Sequence, residues 1–143
     1  MLNGISSLLS PYLVKILMEM GHGDEIVFAD AHFPVESNGI RVVRSDGVLI
    51  PDLLEAVLPL FPLDDYTTTP LTLMNIVTGD SADVSIWDTY YNITKPYKND
   101  KQHFEYLNRK DFYNQSKKAY AIVATSETSQ YANLILKKGI VKV

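Results

Sequence analysis

Met20-Gly21-His22-Gly23-Asp24-Glu25-Ile26-Val27-Phe28-Ala29-Asp30-Ala31-His32-Phe33-Pro34 sets a histidine between two glycines, follows it with an unbroken apolar run, and ends that run on an aspartate. The length of the run and its Ile-Val-Phe content favour a strand covered on both faces, as in a largely parallel sheet. In such sheets ligands gather beyond the carboxyl ends of the strands, which is where Asp30 stands. An imidazole exchanges protons near neutral pH, and the flanking glycines let the backbone carry His22 close to a ligand. The stretch therefore proposes an acid/base site on an α/β fold.

Upstream, Ser10-Pro11 is a helix start, with Ser as N-cap and Pro at the first helical position. Leu13, Ile16, Leu17 and Met20 form its apolar stripe, and Gly21 is expected to stop it in a left-handed conformation. Downstream, Phe33-Pro34 begins a loop, and Glu36 to Gly39 reads as a turn. Ile40 to Arg44 is a half-exposed strand, and Pro51 opens a helix that Pro59 and Pro62 keep short. Leu71 to Val77 is a third strand ended by Thr78-Gly79-Asp80, and Ala82 to Asn92 a helix carrying Trp87. Tyr90 to Asp100 is less regular. Arg109 to Lys118 is helical, Ala119 to Ala124 a strand, Thr125 to Gln130 a polar loop, and Leu134 to Leu136 a last strand that Gly139 to Val143 is expected to extend or pair with. The alternation argues for helices on the faces of a sheet. No repeat or linker divides the chain, so residues 1–143 read as a single domain.

Composition removes several classes of function. Lys plus Arg is 13 against 17 Asp plus Glu, a net charge of −4, and no basic cluster exists to track a phosphate backbone, so no nucleic-acid partner is expected. With no cysteine, disulfides, thiolate nucleophiles and Cys-based zinc sites are excluded. No apolar stretch approaches the ~20 residues that span a bilayer, and Met1-Leu2-Asn3-Gly4-Ile5 lacks the basic start and apolar core of a secretory signal. No membrane is expected as a partner, and the cytoplasm is the simplest location.

His22, His32 and His103 form no His-x-x-x-His pair, so no metal is expected, and Gly21-His22-Gly23 lacks the remaining residues of a phosphate loop. Each candidate residue has a plain structural reading beside the chemical one. His22, just past a helix end, can hydrogen-bond the last carbonyls of that helix. Asp30 can brace the turn after its strand. Arg109 sits at a helix start, where a cation is mildly unfavourable, which hints at another use. Tyr131-Ala132-Asn133 is either an ordinary turn entering a strand or a phenol, an amide and backbone groups presented to a polyhydroxylated ligand. Trp87, Tyr90, Tyr91 and Tyr97 read as packing or interface residues, with a sugar-stacking platform as the alternative.

Taken together, Leu8-Leu9-Ser10-Pro11, Met20-Gly21-His22-Gly23-Asp24-Glu25, Asp30-Ala31-His32-Phe33-Pro34, Phe112-Tyr113 and Tyr131 to Gly139 resemble the L-fucose mutarotase family, the sister of the D-ribose pyranases. The likeness runs from the first helix to the last strand and is loosest from Thr78 to Lys101. It implies a three-layer α/β/α sandwich with a mostly parallel mixed sheet. It also implies an isomerase that interconverts the α and β anomers of L-fucose without a metal or organic cofactor. In the family's pattern the catalytic acid/base falls on His22, and sugar binding on Asp30, Arg109, Tyr131, Ala132 and Asn133. Arg109 and His32-Phe33-Pro34 follow the fucose type. Ala132 replaces a usual glycine, as in ribose pyranases, and backbone contacts there survive an alanine if φ stays negative. Members assemble into rings, often decamers, with sites near subunit contacts. Two alternatives stand beside this reading: a D-ribose pyranase-like enzyme, and a non-catalytic L-fucose-binding protein on the same fold.

Overall fold

The computed structural model describes residues 1–39 and 41–143. Its elements are α1 (Pro11–Glu19), β1 (Glu25–Ala29), α2 (Val35–Asn38), β2 (Val42–Ser45), α3 (Ile50–Val57), β3 (Leu71–Met74) and α4 (Ser85–Thr94). They continue through a 3-10 turn (Lys95–Tyr97) to β4 (Phe104–Leu107), α5 (Arg109–Lys118), β5 (Ala121–Thr125) and β6 (Leu134–Lys137). The strands form one six-stranded sheet in the order β2-β5-β1-β6-β3-β4. β1 pairs in parallel with β5, β2 with β5, and β3 with β4, while β6 runs antiparallel to both β1 and β3. The sheet is therefore mixed and mostly parallel, with five strands pointing one way.

Alternation along the strands builds two cores. Ile26, Phe28, Val123, Leu73 and Leu134 face one side and pack against residues of α1, α3 and α4. Val27, Ala29, Ile122 and Ile135 face the other and pack against Val35 of α2 and Phe112 of α5. These are the three layers. Ile26, Val27 and Phe28 are wholly buried, each stabilising the fold by about 1.5–3 kcal/mol relative to exposure. Among the described residues no helix is long and apolar enough to cross a membrane.

Several local expectations change. α1 starts as read, with Ser10 Oγ accepting from the Leu13 N–H at 3.1 Å. It ends on Met20 in an extended conformation, and the left-handed residue is Gly23 (φ +88°), not Gly21. The second strand covers Val42–Ser45, and Ile40, read as its first residue, lies outside the described residues. The third strand stops at Met74, short of Val77, because Tyr131 takes the Val77 N–H that a ladder would use. α4 is shifted to Ser85–Thr94, and Tyr90 and Tyr91 lie on it rather than in the irregular stretch. Two short elements were not expected: α2, a single helical turn where Glu36 to Gly39 was read as a turn, and β4, a half-exposed edge strand whose Glu105 breaks the apolar signal. Beyond Gly139 no strand extends β6; Lys138 makes one antiparallel bridge to Leu63 instead.

Glu25 opens β1 on the α5 side. Burial pushes its carboxyl above its ordinary pKa of 4.5, opposed by the hydrogen bond from Gln115 Nε2 (2.7 Å) and by Lys137. The folded chain thus holds this proton to higher pH than the unfolded chain. The group's contribution to stability is complete below the unfolded pKa and is lost as pH rises through the folded one. Glu25→Gln should therefore raise the urea midpoint relative to wild type more at pH 7 than at pH 4. An equal difference at both pH values would contradict it.

Candidate active site

Sheet polarity decides which residues can meet. β1, β3 and β4 end at the same edge, so the segments after them converge there, and antiparallel β6 starts there. Asp30 follows β1, Met74 ends β3 and Asp80 follows it, Arg109 follows β4, and Tyr131 to Asn133 precede β6. They enclose a cavity of about 220 Å³ whose walls include Asp30, Asp80, Arg109, Tyr113, Tyr131 and Asn133.

Asp30 and Asn133 lock this edge reciprocally. The Asp30 N–H donates to Asn133 Oδ1 at 2.7 Å, and Asn133 Nδ2 donates to Asp30 Oδ2 at 3.2 Å. Asp30 Oδ1 also accepts from the His32 N–H at 3.0 Å, so the aspartate does brace its turn. An ionised carboxylate offers about four acceptor sites, which leaves capacity for ligand hydroxyls. Arg109 is the first residue of α5, whose N-cap Asn108 accepts from the Asp111 N–H at 2.9 Å. Its guanidinium lies 5.2 Å from the Tyr113 ring centroid, and Tyr113 stacks on Phe33 at 5.1 Å and 12°. Phe33, Tyr113 and Arg109 are thus one stacked wall, with Phe112 turned into the core.

Tyr131 holds a left-handed φ of +52°, a conformation that costs a non-glycine residue about 1–3 kcal/mol. Its carbonyl accepts from Trp87 Nε1 at 2.8 Å, and the Ala132 carbonyl accepts from the Tyr90 hydroxyl at 2.7 Å. Trp87 and Tyr90, read from sequence as packing or interface residues, hold this turn in place. Ala132 is buried and does not share the positive φ, so its methyl is tolerated. The Tyr131 hydroxyl donates to Asp80 and accepts from the Val77 N–H, and the Asp80 carboxylate pushes the phenol's pKa up. The phenol proton is therefore committed to Asp80. Asp80, Gln130 and His32 also line the cavity and were not read as site residues from sequence. The Gly79 turn before Asp80 (φ +86°) was the available signal.

His22 is not among these walls. It precedes β1 while Asp30 follows it, and five strand residues at ~3.3 Å each separate the two by roughly 15–20 Å. His22 lies at the opposite edge of the sheet, where its Nε2 is 3.0 Å from Oδ1 of Asp64. The imidazole is 43% exposed and the Asp64 side chain 7%. Tyr66 lies against the imidazole at 5.0 Å between centroids. His22 does not serve the helix end: Lys138 Nζ donates to the Leu17 and Met20 carbonyls at 2.7 and 2.6 Å.

The end of β6 organises this second cluster. The Gly23 N–H donates to the Lys138 carbonyl and the Lys138 N–H to the Asp24 carbonyl, both at 2.8 Å, which ties down the His22 turn. On its other side the Asp64 N–H donates to the Lys137 carbonyl at 3.0 Å and the Gly139 N–H to the Pro62 carbonyl at 2.8 Å. Among the described residues no group of three His, Asp or Glu side chains could hold a metal ion.

Residues 3–141 match the RbsD / FucU transport protein family. The chain is 48% identical over 140 residues to the L-fucose mutarotase of Haemophilus influenzae, a span of 98% of this chain and 97% of that one. It is similar to the solved fucose mutarotase in complex with L-fucose from Streptococcus pneumoniae, with 53% identity and a TM-score of 0.92 over 99% of this chain and 100% of that one. FucU from Bifidobacterium longum has 46% identity and a TM-score of 0.94 over 97% of this chain and 99% of that one.

The close crossing at Gly139 yields a prediction. A methyl there would stand 2.8 Å from both Asp64 Cα and the Leu63 carbonyl oxygen, backbone atoms that cannot swing aside. Gly139→Ala should cost about 1–3 kcal/mol in urea denaturation. A variant as stable as wild type would show that this crossing is looser than described.

Proposed function

The chain belongs to the RbsD / FucU transport protein family, and on that premise we propose that it is an L-fucose mutarotase. Such an isomerase interconverts the α and β anomers of the free sugar by opening and closing the pyranose ring. The observation that carries this reading is the polar cavity at the carboxyl edge, where Asp30, Asn133 and Arg109 converge. Its lining combines hydroxyl acceptors with a guanidinium donor, and its size suits one monosaccharide. The L-fucose mutarotase of Haemophilus influenzae and the fucose-bound protein of Streptococcus pneumoniae, both alike over nearly the whole chain, support fucose as the sugar. Arg109, held on Tyr113, supports the fucose type over the ribose type.

Anomer exchange balances two proton movements. The anomeric hydroxyl loses a proton, the ring oxygen gains one, and the bond between C1 and the ring oxygen breaks to leave an aldehyde. Rotation about C1–C2 and the reverse transfers close the ring on the other face. Positioned acid/base groups supply about 10²–10⁴-fold, which suffices for a reaction that already runs in water. We assign His22 as the acid/base group. Asp30 and Asn133 hold sugar hydroxyls, Arg109 donates to them, and the Tyr131–Ala132 turn forms the floor. With its proton engaged by Asp80, Tyr131 acts as a wall and not as a proton carrier.

Because His22 and Asp30 flank β1, the site is completed between copies: one subunit's carboxyl edge meets His22 of another. A ring-shaped homo-oligomer, a decamer, satisfies this. Its support is an apolar surface on which Leu2, Met18, Leu60 and Val141 are exposed and Ile5 and Val14 half-buried between them. Lys138, whose backbone ties down the His22 turn, borders it. We place the enzyme in the cytoplasm, the reducing compartment that a chain without cysteine suits.

Saturation transfer between the anomeric protons of L-fucose tests the assignment. His22→Ala should slow exchange at least ~10²-fold while fucose still binds. Binding with a wild-type exchange rate would refute His22, and a wild-type protein that binds fucose without speeding exchange would make this a sugar-binding protein only.

A further inference from the structure

We propose that Asp64 is a positioning residue for His22, fixing its imidazole as the Nε2–H tautomer so that Nδ1 is the nitrogen that exchanges protons with the sugar. This rests on the reading of His22 as the acid/base group.

The carboxylate is buried, its side chain 7% exposed, and its Oδ1 lies 3.0 Å from Nε2. An ionised carboxylate can only accept, so in the neutral ring the hydrogen must sit on Nε2 and Nδ1 carries the bare lone pair. Among the described residues Nδ1 has no hydrogen-bond partner, and the imidazole remains 43% exposed. The reactive nitrogen is thus free and the other one anchored. The anchor is itself rigid. The Asp64 N–H donates to the Lys137 carbonyl, its own carbonyl accepts from Gln102 Nε2 at 2.8 Å, and its Oδ1 also accepts from the Tyr66 N–H at 3.1 Å. Gln102 is buried and reaches a second carbonyl, that of Thr67, at 3.0 Å. Tyr66 then packs its ring against the imidazole, limiting rotation. When Nδ1 takes the sugar's proton, the ring becomes a cation, and the fixed carboxylate behind it stabilises that charge through the hydrogen bond already made. Asp64 touches no sugar in this arrangement.

A residue that only braced the Asp64–Tyr66 turn would leave the state of the imidazole unchanged, and two measurements separate the roles. In the full-length wild-type protein, 15N NMR of the neutral His22 ring should find hydrogen on Nε2; hydrogen on Nδ1 would overturn the proposal and needs no variant. Asp64→Asn keeps the shape and removes the charge. It should lower kcat for fucose anomer exchange at least about tenfold with KM and fucose affinity unchanged. Wild-type kcat in a folded Asp64→Asn protein would overturn the positioning role alone, provided His22→Ala is inactive. Wild-type exchange in His22→Ala would instead remove the reading on which both stand. If Asp64→Asn does not fold, hydrogen on Nδ1 of the wild-type ring still overturns the proposal.

Discussion

Everything at both edges of this sheet depends on one strand running against the others. β6 lies between β1 and β3 and is antiparallel to both, so its first residues reach the edge where the parallel strands end and its last residues reach the edge where they begin. Asn133, just before it, locks Asp30. Lys138, just after it, holds the His22 turn on one side and bridges to Leu63, beside Asp64, on the other. A parallel β6 would join neither pair. Backbone ladders buried on both faces do not slip without exposing whole rows of side chains, so both clusters inherit the rigidity of the sheet.

The residues that sequence could place were those with local reasons. The β1 run, the Ser10-Pro11 cap and the start of α5 at Arg109 rest on neighbours a few positions away, and each was found close to where it was read. β4 failed because a four-residue edge strand buries little and needs β3 beside it before it has a pattern at all. The candidate residues around Asp30 were readable as a list, partly through the family likeness. Their mutual bonds were not, since Asp30 and Asn133 are 103 positions apart. Asp64 stayed invisible for the same reason: it lies 42 positions from His22, inside a stretch with no periodicity. Most instructive is Tyr131, one of whose sequence readings was a phenol presented to a ligand and whose hydroxyl is occupied by Asp80 and the Val77 N–H.

Each edge is organised yet chemically partial. The carboxyl edge has acceptors, a guanidinium, the imidazole of His32 and a strained turn held by Trp87 and Tyr90, around the cavity proposed to take the sugar. The amino edge has an exposed imidazole backed by a buried carboxylate, the pair proposed to carry the proton. Joining the two in one chain would require crossing the full length of β1. Joining them between chains requires only that exposed apolar surface be covered, and the surface around Met18, Leu2 and Val141 is available for that.

The claim that two copies share each site is tested most directly by mixing two inactive proteins. His22→Ala removes the group proposed to carry the proton and Asp30→Asn the carboxylate proposed to hold the sugar, and each alone should be close to silent in fucose anomer exchange. Refolded together in equal amounts, they should regain activity, because about a quarter of randomly assembled sites pair an intact His22 with an intact Asp30 from a different copy. Mixed assemblies that stay as inactive as their parents would contradict the account, since every site built within one chain would then carry one defect or the other.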